Sequence, residues 1–132
     1  MDHEERLEKI ETILDEIRNS GLPILVEGDK DRASLNELGI YGEMFFASRH
    51  SLISLAEKIS ETQSEVIILT DWDRRGDKLA GRITAYLRSM GVIPNNSHRN
   101  MLKALVKKEI KDVESLNKYV EKLRNKKGKG FN

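Results

Sequence analysis

Glu65-Val-Ile-Ile-Leu-Thr70-Asp71-Trp72-Asp73-Arg74-Arg75-Gly76 is the stretch that decides how this chain is read. Its first half is apolar and rich in β-branched residues, the clearest strand in the chain. Its second half turns acidic and then basic, so the strand runs straight into two aspartates flanking a tryptophan. In an open parallel sheet, ligands bind beyond the carboxyl ends of the strands, which makes Asp71 and Asp73 the first residues to inspect. Two carboxylates leaving a strand in this spacing can turn toward one point. Magnesium is commonly held that way, by one or two carboxylates together with waters and phosphate oxygens. Trp72 then faces away from the metal, as a local packing residue or, alternatively, as a surface on which a base stacks.

A second apolar run lies upstream. Leu22-Pro-Ile-Leu-Val-Glu27-Gly28 also ends at a carboxylate and a glycine, with Asp31 shortly after. If the two strands are neighbours, Glu27 reaches the same cluster. Like charges at close range repel, so such a cluster costs stability unless a divalent cation or a shared proton compensates. Gly28 and Gly76 would permit tight backbone approach or a positive φ beside it. Arg74, Arg75, Lys78 and Arg82 follow on the loop and the first helical turns, placed to contact phosphates or balance developing negative charge. His50 and His98 read as surface or packing residues, and Tyr41, Tyr86 and Tyr119 stand in no context that suggests a covalent nucleophile.

Around these strands the apolar spacing predicts helices. Residues 4–18 carry Leu7, Ile10, Ile13, Leu14 and Ile17 on one face. Residues 31–38 form a short helix, Ser51 caps another that continues through Ile59, and Leu79, Ala80, Ile83 and Leu87 mark a further one. Residues 43–47 read as a second strand and Val92-Ile93 as an edge strand. Strands alternating with helices imply right-handed crossovers and a parallel α/β sheet. Beyond Asn96 the pattern is helical, over about 98–108 and 112–124, and residues 126–132 have the composition of a flexible basic tail. The whole reads as one domain over residues 1–125, with a core at about 20–95 and a helical extension at about 97–125.

Composition narrows the chemistry. Hydrophobic residues make up 38% and charged residues 34%, enough apolar material to fold beneath a densely charged surface. No cysteine is present, which excludes disulfides and thiolate zinc sites and leaves a hard, oxygen-bound metal as the expected kind. The acidic N-terminal helix and the lack of a long apolar run point to a cytoplasmic protein. The net charge of +1 hides an asymmetry: residues 1–96 carry 12 basic against 18 acidic side chains, residues 97–132 carry 11 against 4. That split suits a polyanion gripped by the C-terminal third while another part does chemistry; a solvated helix with a basic tail is the alternative.

The two acidic exits together resemble the Toprim domain, which is shared by topoisomerases, bacterial-type primases and several nucleases. Leu25-Val-Glu27-Gly28-Asp-Lys-Asp31 is similar to its first motif, and Ile67-Ile-Leu-Thr-Asp71-Trp-Asp73-Arg-Arg-Gly76 to its second. The phrasing looks nearest to the ribonuclease that matures ribosomal RNA, to bacterial-type primase Toprim domains, and to small stand-alone archaeal Toprim proteins. The resemblance implies a three-layer, Rossmann-like fold with a short, mostly parallel four-stranded sheet, plus C-terminal helices. It implies Glu27 as general acid or base, with Asp71 and Asp73, joined by Glu27, holding Mg2+ or in its place Mn2+. Gly28, Asp31 and Gly76 become supporting positions. Arg74, Arg75, Lys78, Arg82, Arg99 and Lys103 become candidates to hold an RNA or DNA backbone. The activity implied is that of a magnesium-dependent nuclease or RNA-processing enzyme. The alternative is a nucleic-acid or ribonucleoprotein binding module that keeps the acidic cluster without turnover. Haloacid-dehalogenase-like phosphatases also use Asp-x-Asp, but after their first core strand and followed by Gly-Thr, unlike the motif here.

Overall fold

A computed structural model describes residues 1–129, with side chains through Lys126; residues 130–132 of the expected tail lie outside the described residues. The elements in order are α1 (His3–Ser20), β1 (Ile24–Val26), α2 (Asp29–Glu37), β2 (Met44–Phe46), α3 (Leu52–Thr62) and β3 (Glu65–Ile68). They continue with α4 (Arg74–Ser89), β4 (Ile93–Asn95), α5 (Ser97–Val106) and α6 (Leu116–Lys129). The sheet order is β2-β1-β3-β4, and every adjacent pair is parallel. From β1 the chain crosses to β2 on one side and then returns past β1 to β3 on the other. The connection therefore reverses direction between β1 and β3, and a crevice opens there beyond the strand ends.

Side-chain alternation along the strands builds the layers. Ile24, Val26, Ile67 and Leu69 face a core closed by α1, α2, α5 and α6. Leu25, Val66 and Ile68 face the opposite core, closed by α3 and α4. Both faces of the central strands are dry, which is why β1 and β3 read as continuous apolar runs. Local signals set the helix ends. Asp2 accepts from Glu5 N at 2.8 Å to start α1, and Gly21, at φ 68°, ends it in the left-handed region. Ser51 accepts from Ser54 N at 3.2 Å to start α3. No described helix is long and apolar enough to cross a membrane.

The C-terminal helices depart from the periodicity. Residues 112–115 are not helical, because Asp112 accepts from Ser115 N at 2.8 Å and Val113 is tied to the exit of β3. Helix α6 accordingly starts at Leu116, and it runs to Lys129, into the segment read as tail. Helix α2 starts earlier than expected, at Asp29, because the Asp31 carboxylate accepts from Glu27 N at 3.1 Å and Gly28 N at 3.0 Å.

Ile67 contributes no exposed surface and lies where β3 meets β1. Ile67→Ala should lower unfolding free energy by about 2–5 kcal/mol, read from the urea midpoint at unchanged m-value.

Candidate active site

Pairing of β1 with β3 builds the site. Leu69 N–H donates to the Leu25 carbonyl at 2.8 Å, which sets the two strand exits side by side. Asp71 N–H then donates to Glu27 Oε2 at 2.8 Å. The two acidic exits are thus joined by a backbone-to-carboxylate bond. Buried Asp31 sits under the turn after β1, its carboxylate bracing that turn through the Glu27 and Gly28 amides. Asp71 Oδ1 accepts from Val113 N–H at 3.0 Å. Burial pushes the Asp71 carboxyl up to about 7, and the nearby Glu27, Asp31 and Asp112 carboxylates add to the rise against the Val113 amide. Burial likewise raises Asp31, with Glu27 and Glu114 contributing.

Asp73 takes a different direction. It is the N-cap of α4, and its Oδ1 accepts from Gly76 N–H at 2.7 Å. A side chain at position 76 could not be accommodated, since a Cβ there would lie 1.9 Å from the Asp71 carbonyl oxygen. Thr70 Oγ1 donates to the Gly76 carbonyl at 2.9 Å and closes the same turn. Gly76 therefore serves close backbone approach, as its position suggested. Gly28 does not: its backbone is extended, at φ −160°, and a Cβ would make only an ordinary 3.7 Å contact with Ser48 Oγ.

Among the described residues, no three acidic or histidine side chains are gathered as a ready-made metal cage. In this structure Glu27, Asp71 and Asp73 are each engaged by a different partner. Asp73 caps a helix, Asp71 is held by Val113, and Glu27 is engaged by Asp71 N–H and by Arg75 Nη2 at 3.4 Å. The donor set nevertheless fits a hard divalent ion. Magnesium needs only one or two protein carboxylates when phosphate and water complete its shell, and Glu27, Asp31 and Asp112 crowd negative charge around Asp71.

Beside Glu27 lies an open groove of about 350 Å³, lined by Glu27, Ser48, Arg75, Lys78 and Arg82 among others. The three cations stand on one face of α4 at helical spacing, one wall of the groove. Arg74 is exposed on the same turn but does not line the groove. Arg99 and Lys103 are elsewhere. The Arg99 side chain is only 6% exposed, and its guanidinium donates to the carbonyls of Thr70 at 3.1 Å and Asp71 at 2.6 Å. It also pairs with Asp77 Oδ1 at 2.6 Å, and Lys103 Nζ pairs with Asp77 Oδ2 at 2.7 Å. Burial works against the Asp77 charge, yet the Lys103 and Arg99 hydrogen bonds hold its carboxyl below the usual range. The expectation that Arg99 and Lys103 grip a substrate backbone gives way to a clamp between α5, α4 and the β3 exit. Sequence reasoning passed over Asp77 and Val113, and no motif marks either: one contributes a long-range ion pair, the other a main-chain N–H. Trp72 packs as expected, buried, with its indole N–H donating to the Ile110 carbonyl at 2.7 Å.

A parallel sheet of this order with Glu-Gly and Asp-x-Asp strand exits defines a class, and a family model described as "Toprim domain" matches residues 23–113. The chain belongs to the Toprim domain family, a nucleic-acid-related and metal-binding family. It is similar to a UPF0292 protein of Methanosarcina acetivorans, 48% identical over 98% of this chain and 92% of that protein. A UPF0292 protein of Pyrococcus horikoshii is 40% identical over 85% of this chain and 84% of its own length. A solved structure, a "putative protein from Aquifex aeolicus", shares the fold with a TM-score of 0.69 at 24% identity, covering 79% of this chain and 94% of that one. The family match passes the expected core boundary near residue 95 and ends at Val113, the residue that reaches Asp71.

Two outcomes follow for this site. Gly76→Ala should cost about 3 kcal/mol or more, because the new methyl collides with main chain that cannot yield, and thermal unfolding measures it. Asp71 keeps its proton in the folded chain up to about 7, whereas its unfolded value is 3.8. The folded state therefore binds more protons between those values, and its stability falls as pH rises through that window. Metal-free urea midpoints at about pH 5 and about pH 8 should show this fall, and Asp71→Asn should shrink it.

Proposed function

We propose that the protein is a magnesium-dependent enzyme acting on phosphodiester bonds of RNA or DNA, a nuclease or RNA-processing activity. The observation that carries this reading is the direct junction of Glu27 and Asp71 at the reversal between β1 and β3, beside a groove walled by Arg75, Lys78 and Arg82. Asp71 and Asp73 are the residues that would hold the cation, Asp73 by exchanging its cap on α4 for the metal. When bound, a divalent cation neutralises phosphate charge and polarises a phosphate oxygen. Arg75, Lys78 and Arg82 bind the backbone phosphates and orient the scissile bond across the strand exits. Glu27 moves the proton between water or leaving oxygen and solvent, its carboxylate positioned by the Asp71 amide. Arg75 pairs with Glu27 in this structure, and a phosphate entering the groove would draw the guanidinium away and release the carboxylate.

The pairing of Glu27 with Arg75 and the cap position of Asp73 also favour a second reading, a nucleic-acid binding module without turnover. Cleavage of labelled RNA and DNA with and without Mg2+ separates the two. For the enzyme, Glu27→Gln should lower the rate about 100- to 10,000-fold while leaving nucleic-acid affinity within a few-fold. Asp71→Asn should lower both the rate and the response to Mg2+. Binding without cleavage by the wild type, unaltered in both variants, would leave the binding module as the correct reading.

A further inference from the structure

Across the groove from α4, its lining is Ala47 and Ser48, and a cationic pair stands just beyond them without lining it. Ala47–Arg49 form a single helical turn directly after β2, and Ser48 N–H donates to the Glu27 carbonyl at 3.0 Å. The turn is thereby fastened to the exit of β1, and Ser48 lines the groove opposite α4. The next residue, Arg49, lays its guanidinium over the ring of Phe46 at 4.2 Å from the centroid. Arg32, from α2, covers the same ring at 5.4 Å. Both cations share one carboxylate: Arg49 Nη2 lies 2.6 and 2.7 Å from the Asp29 oxygens, and Arg32 Nη2 lies 3.2 Å from Asp29 Oδ1.

This arrangement exceeds what packing needs. One guanidinium would suffice to cover Phe46 and pair with Asp29. Two of them converge on one ring and one carboxylate, two positive charges set close together against Asp29. Their side chains remain 50% and 48% exposed, accessible to an anion from solvent. The aromatic ring and Asp29 hold both planar groups in place, which lowers the ordering cost when a phosphate docks against them. Asp29 is two residues from Glu27, so the pair flanks the acidic exits on the side away from α4.

We propose that Arg32 and Arg49 form a second phosphate-binding wall, so that a nucleic-acid strand crosses Glu27 and Asp71 between two cationic rails, Arg32/Arg49 and Arg75/Lys78/Arg82. This rests on the nucleic-acid reading above and extends it by assigning a phosphate site beyond β2. The two rails engage successive stretches of one backbone, one on each side of the carboxylates.

The experiment measures binding of fluorescein-labelled oligouridylate and oligothymidylate to the full chain across a series of salt concentrations, by anisotropy. Each lost phosphate contact makes the slope of log affinity against log salt shallower by about 0.7 for single strands. Arg32→Gln/Arg49→Gln should therefore flatten the slope by about 1.4, and Arg75→Gln/Lys78→Gln/Arg82→Gln by about 2. Arg32→Lys/Arg49→Lys keeps the charge and should keep most of the slope, which separates a phosphate contact from a merely structural role of the arginines. Thermal unfolding of the Arg32/Arg49 variants, and the Mg2+ concentration at half-maximal change in their tryptophan fluorescence, should stay near wild type. A wild-type slope in the Arg32→Gln/Arg49→Gln protein, with a flattened one in the α4 variant, overturns the second wall and leaves the proposed function standing. A slope lost equally in the Gln and Lys versions also overturns it. Salt-independent or absent binding by the wild type overturns the nucleic-acid reading and the second wall together.

Discussion

The parallel pairing of β1 with β3 is the constraint on which the rest depends. Its register sets Ile24 against Ile67 and Leu25 against Ile68, so the two chains leave the sheet at the same height. Because the connection returns past β1 to reach β3, no crossover covers the crevice between their ends. The Asp71 amide therefore meets the Glu27 carboxylate directly. A slip of one residue would turn the apolar set of β3 inside out across two dry faces, so the cores on both sides enforce the register. The site geometry is in this sense held by hydrophobic packing some distance beneath it.

The parts legible in the sequence were those encoded by local pattern. Ile24, Leu25 and Val26 announce a doubly buried strand by composition, Val66, Ile67 and Ile68 a clear one, and Leu7, Ile10, Ile13, Leu14 and Ile17 announce α1 by spacing. The acidic exits were visible because a carboxylate directly after an apolar run is conspicuous. Strand order is not a local property, however, so the sequence could place Glu27 beside Asp71 only on the condition that their strands are neighbours, as β1 and β3 are. What escaped were contacts made across long sequence separations. The α6 start is displaced to Leu116 because residues 110–113 are drawn onto the β3 exit, where Lys111 and Ile110 accept from the Trp72 backbone and indole N–H. Helical periodicity carries no information about that attachment. The same holds for the cap role of Asp73, since an aspartate at a strand exit looks alike whether it faces an ion or a helix N-terminus.

The charge asymmetry has a structural explanation different from the one it first suggests. The basic C-terminal third packs against the acidic N-terminal helix: Arg124 on α6 pairs with Glu11 on α1 at 2.8 Å, and buried His98 on α5 lies 3.4 Å from Glu16. Arg99 and Lys103 neutralise Asp77. Much of the opposition between the two ends of the chain is thus resolved inside one layer of helices. The cations that line the groove come instead from α4, in the portion of the chain whose overall charge is negative. Net charge by segment predicts long-range attraction between a molecule and its partner, but it does not locate a binding face once the fold brings opposite segments together.

That redistribution bears on how the acidic exits are tolerated. Glu27, Asp31 and Asp71 press on one another, and burial adds to the cost of their charge. The fold answers with main-chain dipoles more than with cations: the Asp71 amide on Glu27, the Glu27 and Gly28 amides on Asp31, and the Val113 amide on Asp71. Amides stabilise a carboxylate without cancelling its charge, and the rise at Asp71 and Asp31 shows that the crevice still disfavours further negative charge. Among the described residues, Arg75 pairs with Glu27 at 3.4 Å from a largely exposed side chain, and such a contact is weak in water. Arg99, by contrast, is locked beneath, bonding the Thr70 and Asp71 carbonyls where it fixes the loop without touching the carboxylates. A buried clamp on the backbone and a loose pairing at the surface have opposite consequences. The first keeps the carboxylates in place when the charge state changes, and the second leaves them open to a divalent ion or a phosphate-bearing partner.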